Sequence, residues 1–204
     1  VITIVDYGLG NIDAFLNVYK RLNVPARRAT SAAALKDANR IILPGVGHFD
    51  RAMNQLNGSG MRPMLDDLVL QRRVPVLGVC VGMQMLAQGS DEGTEPGLGW
   101  IDGKVRAFAS WAPARHLPSP HMGWNDVRPM HGGQLFREID QDMRFYFLHS
   151  YYFECTHTED VLAVAEYGAE FGCAVQHANI FGVQFHPEKS HRFGTQLLQN
   201  FSET

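Results

Sequence analysis

Several features are scarce in this sequence, and each scarcity removes a class of protein. There are only three cysteines, Cys80, Cys155 and Cys173, with no C-x-x-C spacing among them. That excludes a disulfide scaffold and points to a reducing, cytoplasmic setting. No apolar run approaches the roughly 18 residues a membrane-spanning helix needs, and the amino terminus reads as a strand rather than a signal peptide. Basic residues nowhere cluster beyond three and the net charge is -3, so nucleic acid meets no electrostatic footprint. Gly8 and Gly10 follow a strand-like run, but position 13 is Asp where a dinucleotide fingerprint requires a third glycine. No cofactor is expected.

What is present suits a folded enzyme. The 204 residues are 45% apolar, enough to bury a substantial core in one domain spanning 1–204. "VITIV" (1–5), "RIILP" (40–44) and "VPVLGV" (74–79) read as strands. Helical stretches follow them: a stripe of Ile12, Phe15, Leu16, Tyr19 and Leu22 capped by Asn11, then about 49–71, then "GMQMLAQ". Strands alternating with helices predict an α/β fold, an open, mostly parallel twisted sheet with helices on both faces. Residues 97–129 are rich in Gly and Pro. Beyond them "RFYFLHSYYF", "VLAVAEY", "CAVQH" and "IFGVQFH" predict an antiparallel extension of that sheet, and "GTQLLQNF" a closing helix.

The chemistry centres on Gly78-Val79-Cys80-Val81-Gly82, where a strand runs into a helix. Small residues flanking a nucleophile at such a junction form an elbow, and the helix amino terminus favours the thiolate. The Val81 N–H would face an oxyanion formed by attack on a carbonyl. A buried structural cysteine fits the same run, and the stretch alone does not choose between them. A nucleophilic thiol needs a base, and the base an orienting group. His186 and Glu188 in "GVQFHPEKS" are two apart around a proline, so an extended backbone puts both side chains on one side. A solvated strand end or a metal site with His191 are the alternatives, though no second ligand cluster is evident and metal is not expected. "PGVGHF" (44–49) can present backbone N–H groups near Val46 and Gly47 to an anion, and glycines on both sides of Val46 let a peptide there rotate. Cys155 and Cys173 have no matching base and read as structural.

In order, "VDYGLGN", "PGVGHF", "GVCVGMQ", "HMGWN", "FYFLHSYY" and "GVQFHPEKS" span nearly the whole chain and resemble the class I (triad) glutamine amidotransferases. "PGVG" with "HMGWN" narrows the resemblance to the branch that passes ammonia to a (β/α)8-barrel cyclase in a heterodimer. There the cyclase makes imidazole glycerol phosphate and AICAR from PRFAR in histidine biosynthesis. The resemblance implies L-glutamine as substrate and Cys80, His186 and Glu188 as catalytic triad. It also implies an oxyanion hole from Val81 and the Val46–Gly47 turn after a peptide flip, and Gln84, Ser150 and Tyr151 as holders of the glutamine amino-acid end. Tyr146, Trp124 and Lys189 are expected at the partner interface. Val81 stands where the family often has leucine, and "SWAPARHLPSP" (110–120) is longer and richer in proline than the family pattern. The rival readings are a glutaminase feeding another synthase, a free-standing cysteine hydrolase with the same triad, or a binding module that keeps only the fold.

Overall fold

Residues Ile2–Val5, Val76–Cys80 and Ile180–Val183 are buried at every position, the signature of strands covered on both faces. The computed structural model describes residues 1–204. Its elements run β1 (Ile2–Val5), α1 (Ile12–Arg21), β2 (Ala26–Ala29), α2 (Ala32–Leu35), β3 (Arg40–Gly45), α3 (Phe49–Gly58), α4 (Arg62–Asp66), β4 (Val76–Cys80) and α5 (Val81–Gln84). Then come β5 (Gly103–Ala107), β6 (His121–Asp126), β7 (Arg128–Pro129), β8 (Arg144–His149), β9 (Tyr151–Cys155), β10 (Val161–Tyr167), β11 (Ala169–His177), β12 (Ile180–Val183) and α6 (His191–Ser202). No helix is long and apolar enough to cross a membrane.

An eight-stranded sheet has the order β2-β1-β3-β4-β12-β11-β10-β7. From β2 to β12 every pairing is parallel, and from β12 to β7 every pairing is antiparallel. The expected mostly parallel sheet with an antiparallel extension is therefore present. In register, Gly45 lies opposite Cys80 and Val79 opposite Val183. The carboxyl ends of β3, β4 and β12 thus share one edge, where open α/β sheets place their ligands.

Four details depart from the sequence reading. The edge strand β2, "ARRA", has no apolar pattern; only Ala29 is buried, and its arginines guard the edge as charges commonly do. The helical stretch 49–71 breaks at Gly58-Ser59-Gly60, where Gly60 takes a left-handed φ of 71°, and ends in a wide turn over Asp67–Gln71. "GMQMLAQ" is helical only to Gln84. "RFYFLHSYYF" does not join the large sheet: it divides at Ser150, β8 pairing with β6 and β9 with β5 in two separate ribbons.

The layers meet backbone to backbone under α5. A Cβ on Gly78 would lie 2.6 Å from the Gly82 carbonyl oxygen, and one on Gly82 would overlap the carbonyl of Leu43. By contrast Gly58 has open space where its Cβ would be. Gly82→Ala is expected to cost about 1–3 kcal/mol or more, as overpacking does. Gly58→Ala is expected to stay within about 1 kcal/mol of the parent or to stabilise. Denaturant midpoints measure both, and equal effects would refute the close-approach account.

Candidate active site

Cys80 ends β4 and caps α5 with φ 56° and ψ −116°, a left-handed φ that a residue with a side chain rarely adopts. Such strain marks a nucleophile elbow. Cys80 is buried. Because α5 is a single turn, it offers no long helix dipole, and the Cys80 side chain makes no capping hydrogen bond to it.

His186 follows β12, and β8 clamps the segment after it. The His186 N–H donates to the Tyr146 carbonyl (2.9 Å), and the Ser190 hydroxyl accepts from the Tyr146 N–H (3.0 Å) while donating to the His186 carbonyl (2.6 Å). Pro187 starts a tight turn, Pro187–Lys189, so the expected extended geometry gives way to a bend at the residues after His186. That turn rests on α6 at Gly194, whose missing side chain leaves room for the Pro187 carbonyl. Even so, the Glu188 carboxylate reaches His186 Nδ1 at 2.9 Å, with both side chains buried. Nε2 is left for the cysteine. Burial alone pushes the imidazolium down, but the Cys80 sulfur and the Glu188 carboxylate more than offset it, and His186 is pushed up to about 9.

Cys80, His186, Val81, Val46, Gly47, Gln84, Ser150, Tyr151 and Lys189 line one cavity of about 310 Å³. Every expected catalytic, oxyanion and glutamine-holding residue except Glu188 lies on its wall, and Glu188 stands directly behind His186. The "DYGLGN" motif supports the turn: the Tyr7 hydroxyl donates to the Pro44 carbonyl at 2.8 Å. Rotational freedom belongs to one side of Val46 only. Gly47, with φ 84°, has open space, whereas Gly45 is packed against Gly82.

Two residues here, Glu92 and Gln184, were not found by sequence reasoning. Glu92 lines the cavity while accepting the Phe49 N–H at 2.8 Å. Buried Gln184 accepts from the Gln84 amide (3.0 Å) and points its own amide nitrogen at Cys80 Sγ (3.8 Å). His149 is on the wall too, and loop 110–120 reaches it through Pro120 and through Ser119, which donates to the Ser150 hydroxyl at 3.1 Å. Only the order of motifs hinted at these positions, because each depends on packing between distant segments.

Beside the cavity mouth, Trp124 stands opposite Tyr146 on the β6–β8 ribbon, with exposed Met122 opposite exposed Leu148. His191 stacks on Trp124 with an interplanar angle of 8°. Burial pushes the Cys155 thiol up to about 12 and raises that of Cys173 as well, so neither is primed for attack. A larger hollow of about 830 Å³, floored by Phe136 and Met143, has no cysteine and no His–carboxylate pair on its wall.

A strained cysteine elbow, a buried His–Glu pair and a mostly parallel sheet are the parts a cysteine-dependent α/β acyl-transfer site requires. The profile of the family "Glutamine amidotransferase class-I" matches residues 4–204, and the chain belongs to that family. It is 59% identical, over the full length of both chains, to "Imidazole glycerol phosphate synthase subunit HisH" of Bdellovibrio bacteriovorus. It is 51% identical to the protein of the same name from Leptospira interrogans, with 99% of each chain covered. Among solved structures, PurLQS from Thermotoga maritima shares the fold with a TM-score of 0.72 at 16% identity, covering 98% of this chain and 96% of that one.

Three buried histidines give stability opposite pH dependences. Burial lowers His121 to about 4 and His149 to about 3 from the ordinary 6.5, so their contribution is complete above 6.5 and is lost as pH falls toward those values. His186 is raised to about 9, so its contribution is complete below 6.5 and is lost as pH rises through 9. Chemical denaturation across this range should show stability falling on both sides, each proton adding a slope of at most about 1.4 kcal/mol per pH unit. A flat acid limb between pH 6.5 and about 5 would contradict the neutral, buried state of His121 and His149.

Proposed function

We propose that the chain acts as a single domain, the glutaminase subunit of an imidazole glycerol phosphate synthase, working in the cytoplasm without a cofactor. It hydrolyses glutamine to glutamate and ammonia and passes the ammonia to a (β/α)8-barrel cyclase, which makes imidazole glycerol phosphate and AICAR from PRFAR in histidine biosynthesis. The observation that carries this reading is His186 on the same cavity wall as the Cys80 elbow, with the buried Glu188 bonded behind it.

His186, held up to about 9 by its neighbours, rests as an imidazolium beside Cys80. The Cys80 sulfur attacks the side-chain carbonyl carbon of glutamine, and the carbonyl electrons move onto oxygen. The Val81 N–H and an N–H of the Val46–Gly47 turn receive that oxyanion. As the C–N bond breaks, His186 gives its proton to the leaving nitrogen, releasing ammonia and leaving a thioester. Water then attacks, His186 takes its proton, and the second tetrahedral intermediate collapses to glutamate and thiolate. Glu188 keeps the imidazole in the tautomer that points Nε2 at sulfur. Gln84, whose amide nitrogen is committed to Gln184, has its carbonyl left to accept from the glutamine α-ammonium, with Glu92 supplying the opposite charge. Ser150 and Tyr151 close the other side.

The cyclase docks on the β6–β8 ribbon through Trp124 and Tyr146, joined by Met122 and Leu148, with Lys189 at the rim. An exposed apolar patch beside a cavity mouth favours a partner over a free-standing hydrolase.

Cys80→Ser is expected to lower glutamine hydrolysis by about 10³ or more, and a glutamine-like electrophile is expected to label one cysteine of the three. Mass spectrometry locates the label; modification of Cys155 or Cys173 in the folded chain would sink the assignment.

The Gly47 hinge supports a turn that brings its donor inward when the partner binds. Adding cyclase with PRFAR is expected to raise glutamate release by about 10³, equivalent to roughly 4 kcal/mol. Val46→Pro, which deletes one N–H of the turn, should lower turnover of the assembled pair by about 10²–10³. Full activity in the isolated chain, unchanged by partner and ligand, would favour the free-standing hydrolase instead.

A further inference from the structure

Two histidines outside the triad are tied into one hydrogen-bonded chain that ends on the cavity wall. His149 closes β8, and its Nδ1 lies 2.7 Å from the carbonyl oxygen of Tyr151, two residues on. Its Nε2 lies 2.9 Å from Nδ1 of His121 on β6. His121 Nε2 is 3.2 Å from the Asn125 side-chain nitrogen, which also donates to the Glu166 carbonyl at 2.8 Å.

Each end of this chain dictates the same proton arrangement. A carbonyl only accepts, so His149 must carry hydrogen on Nδ1, and its neutral Nε2 then accepts from His121 Nδ1–H. From the other end, the Asn125 oxygen accepts the Asp126 N–H at 2.8 Å and its nitrogen faces the Glu166 carbonyl, which fixes the amide. That nitrogen donates to His121 Nε2, leaving the hydrogen of His121 on Nδ1. Both rings are buried, and His121 lies between Tyr167 (ring centroids 4.3 Å apart) and Phe147 (4.9 Å). A proton added to either ring would set donor against donor, and the low basicity that burial imposes on both agrees with two neutral rings.

We propose that His121 and His149 are positioning residues, a relay locked in one pair of tautomers that holds the Ser150–Tyr151 wall of the glutamine cavity. The chain passes from one ribbon to the other at Ser150 and has no sheet partner of its own there. The Ser150 carbonyl accepts from the Phe108 N–H at 3.1 Å, and the Tyr151 carbonyl is fixed by His149. Without His121, His149 loses the donor that holds its ring edge-on to that carbonyl, and the wall loosens where glutamine's amino-acid end is held. The inference rests on the glutaminase reading above, and it concerns binding rather than bond making.

The test pairs kinetics with spectroscopy. In the assembled complex, His121→Leu is expected to raise the glutamine KM about tenfold, the scale of one lost hydrogen bond, with kcat within about threefold. His121→Asn places a side-chain nitrogen where Nδ1 stood and should restore KM to within about twofold of the parent. Equal KM values for the parent and a folded His121→Leu variant, or no difference between Leu and Asn, would overturn the relay. Nitrogen NMR of the full, unsubstituted chain near neutral pH gives a readout independent of turnover and of any variant's folding. Both rings should appear as neutral Nδ1–H tautomers, the form less favoured by free imidazole. An Nε2–H tautomer at either ring would overturn the relay even if the chain hydrolyses glutamine normally. A parent chain inert to glutamine in the presence of cyclase and ligand would overturn the functional reading instead.

Discussion

The whole site depends on one contact, the close approach of the α5 backbone to β3 and β4 with no side chain between them. Gly45, Gly78 and Gly82 leave that space, and the turn from β4 into α5 can then be sharp enough to force Cys80 to a left-handed φ. The strain at Cys80 is sustained because the strands on either side over-determine it. The same contact sets where the Gly45–Gly47 turn begins, since Gly45 ends β3 directly against Gly82. A larger residue at any of the three would displace the thiol and the turn together.

Within a small volume the molecule tunes three histidines in opposite directions using burial as a common background. His186 has the Glu188 carboxylate on Nδ1 and the Cys80 sulfur beside it and becomes more basic. His121 and His149 receive neutral partners, and burial makes them less basic. Protonation of His149 would also place a second positive ring near His186, and the repulsion between those two lowers His149 further. The cavity wall thus carries the more basic His186 and the less basic His149, with His121 bonded behind the latter.

The parts legible in the sequence are those encoded by local spacing. The elbow, the His-x-Glu pair and the Gly-rich turn each lie within a few residues, and the strand–helix alternation that carries them to a common edge repeats along the chain. What escaped depends on contacts between remote segments. Strand β2 carries two arginines and is a strand because β1 offers it an edge. "RFYFLHSYYF" reads as one strand, and it divides because β6 and β5 compete for its halves. Glu92 and Gln184 gain meaning only when 92 meets 49 and 184 meets 84. The short α5 stops because the chain beyond it turns back so that Leu98 can donate to the Met85 carbonyl.

The position of β12 also orders the life of the chain in time. It is a central strand between β4 and β11, yet the chain reaches it only after β5 to β11 have all been laid down. A growing chain can assemble β1 to β4 and shape the cysteine elbow well before His186 exists. Pairing β12 with β4 joins segments about a hundred residues apart, a costly, late contact in any parallel sheet. Until that strand inserts, Cys80 stands on an open sheet edge with no histidine beside it, and the pairing of sulfur with imidazole arrives only with that insertion.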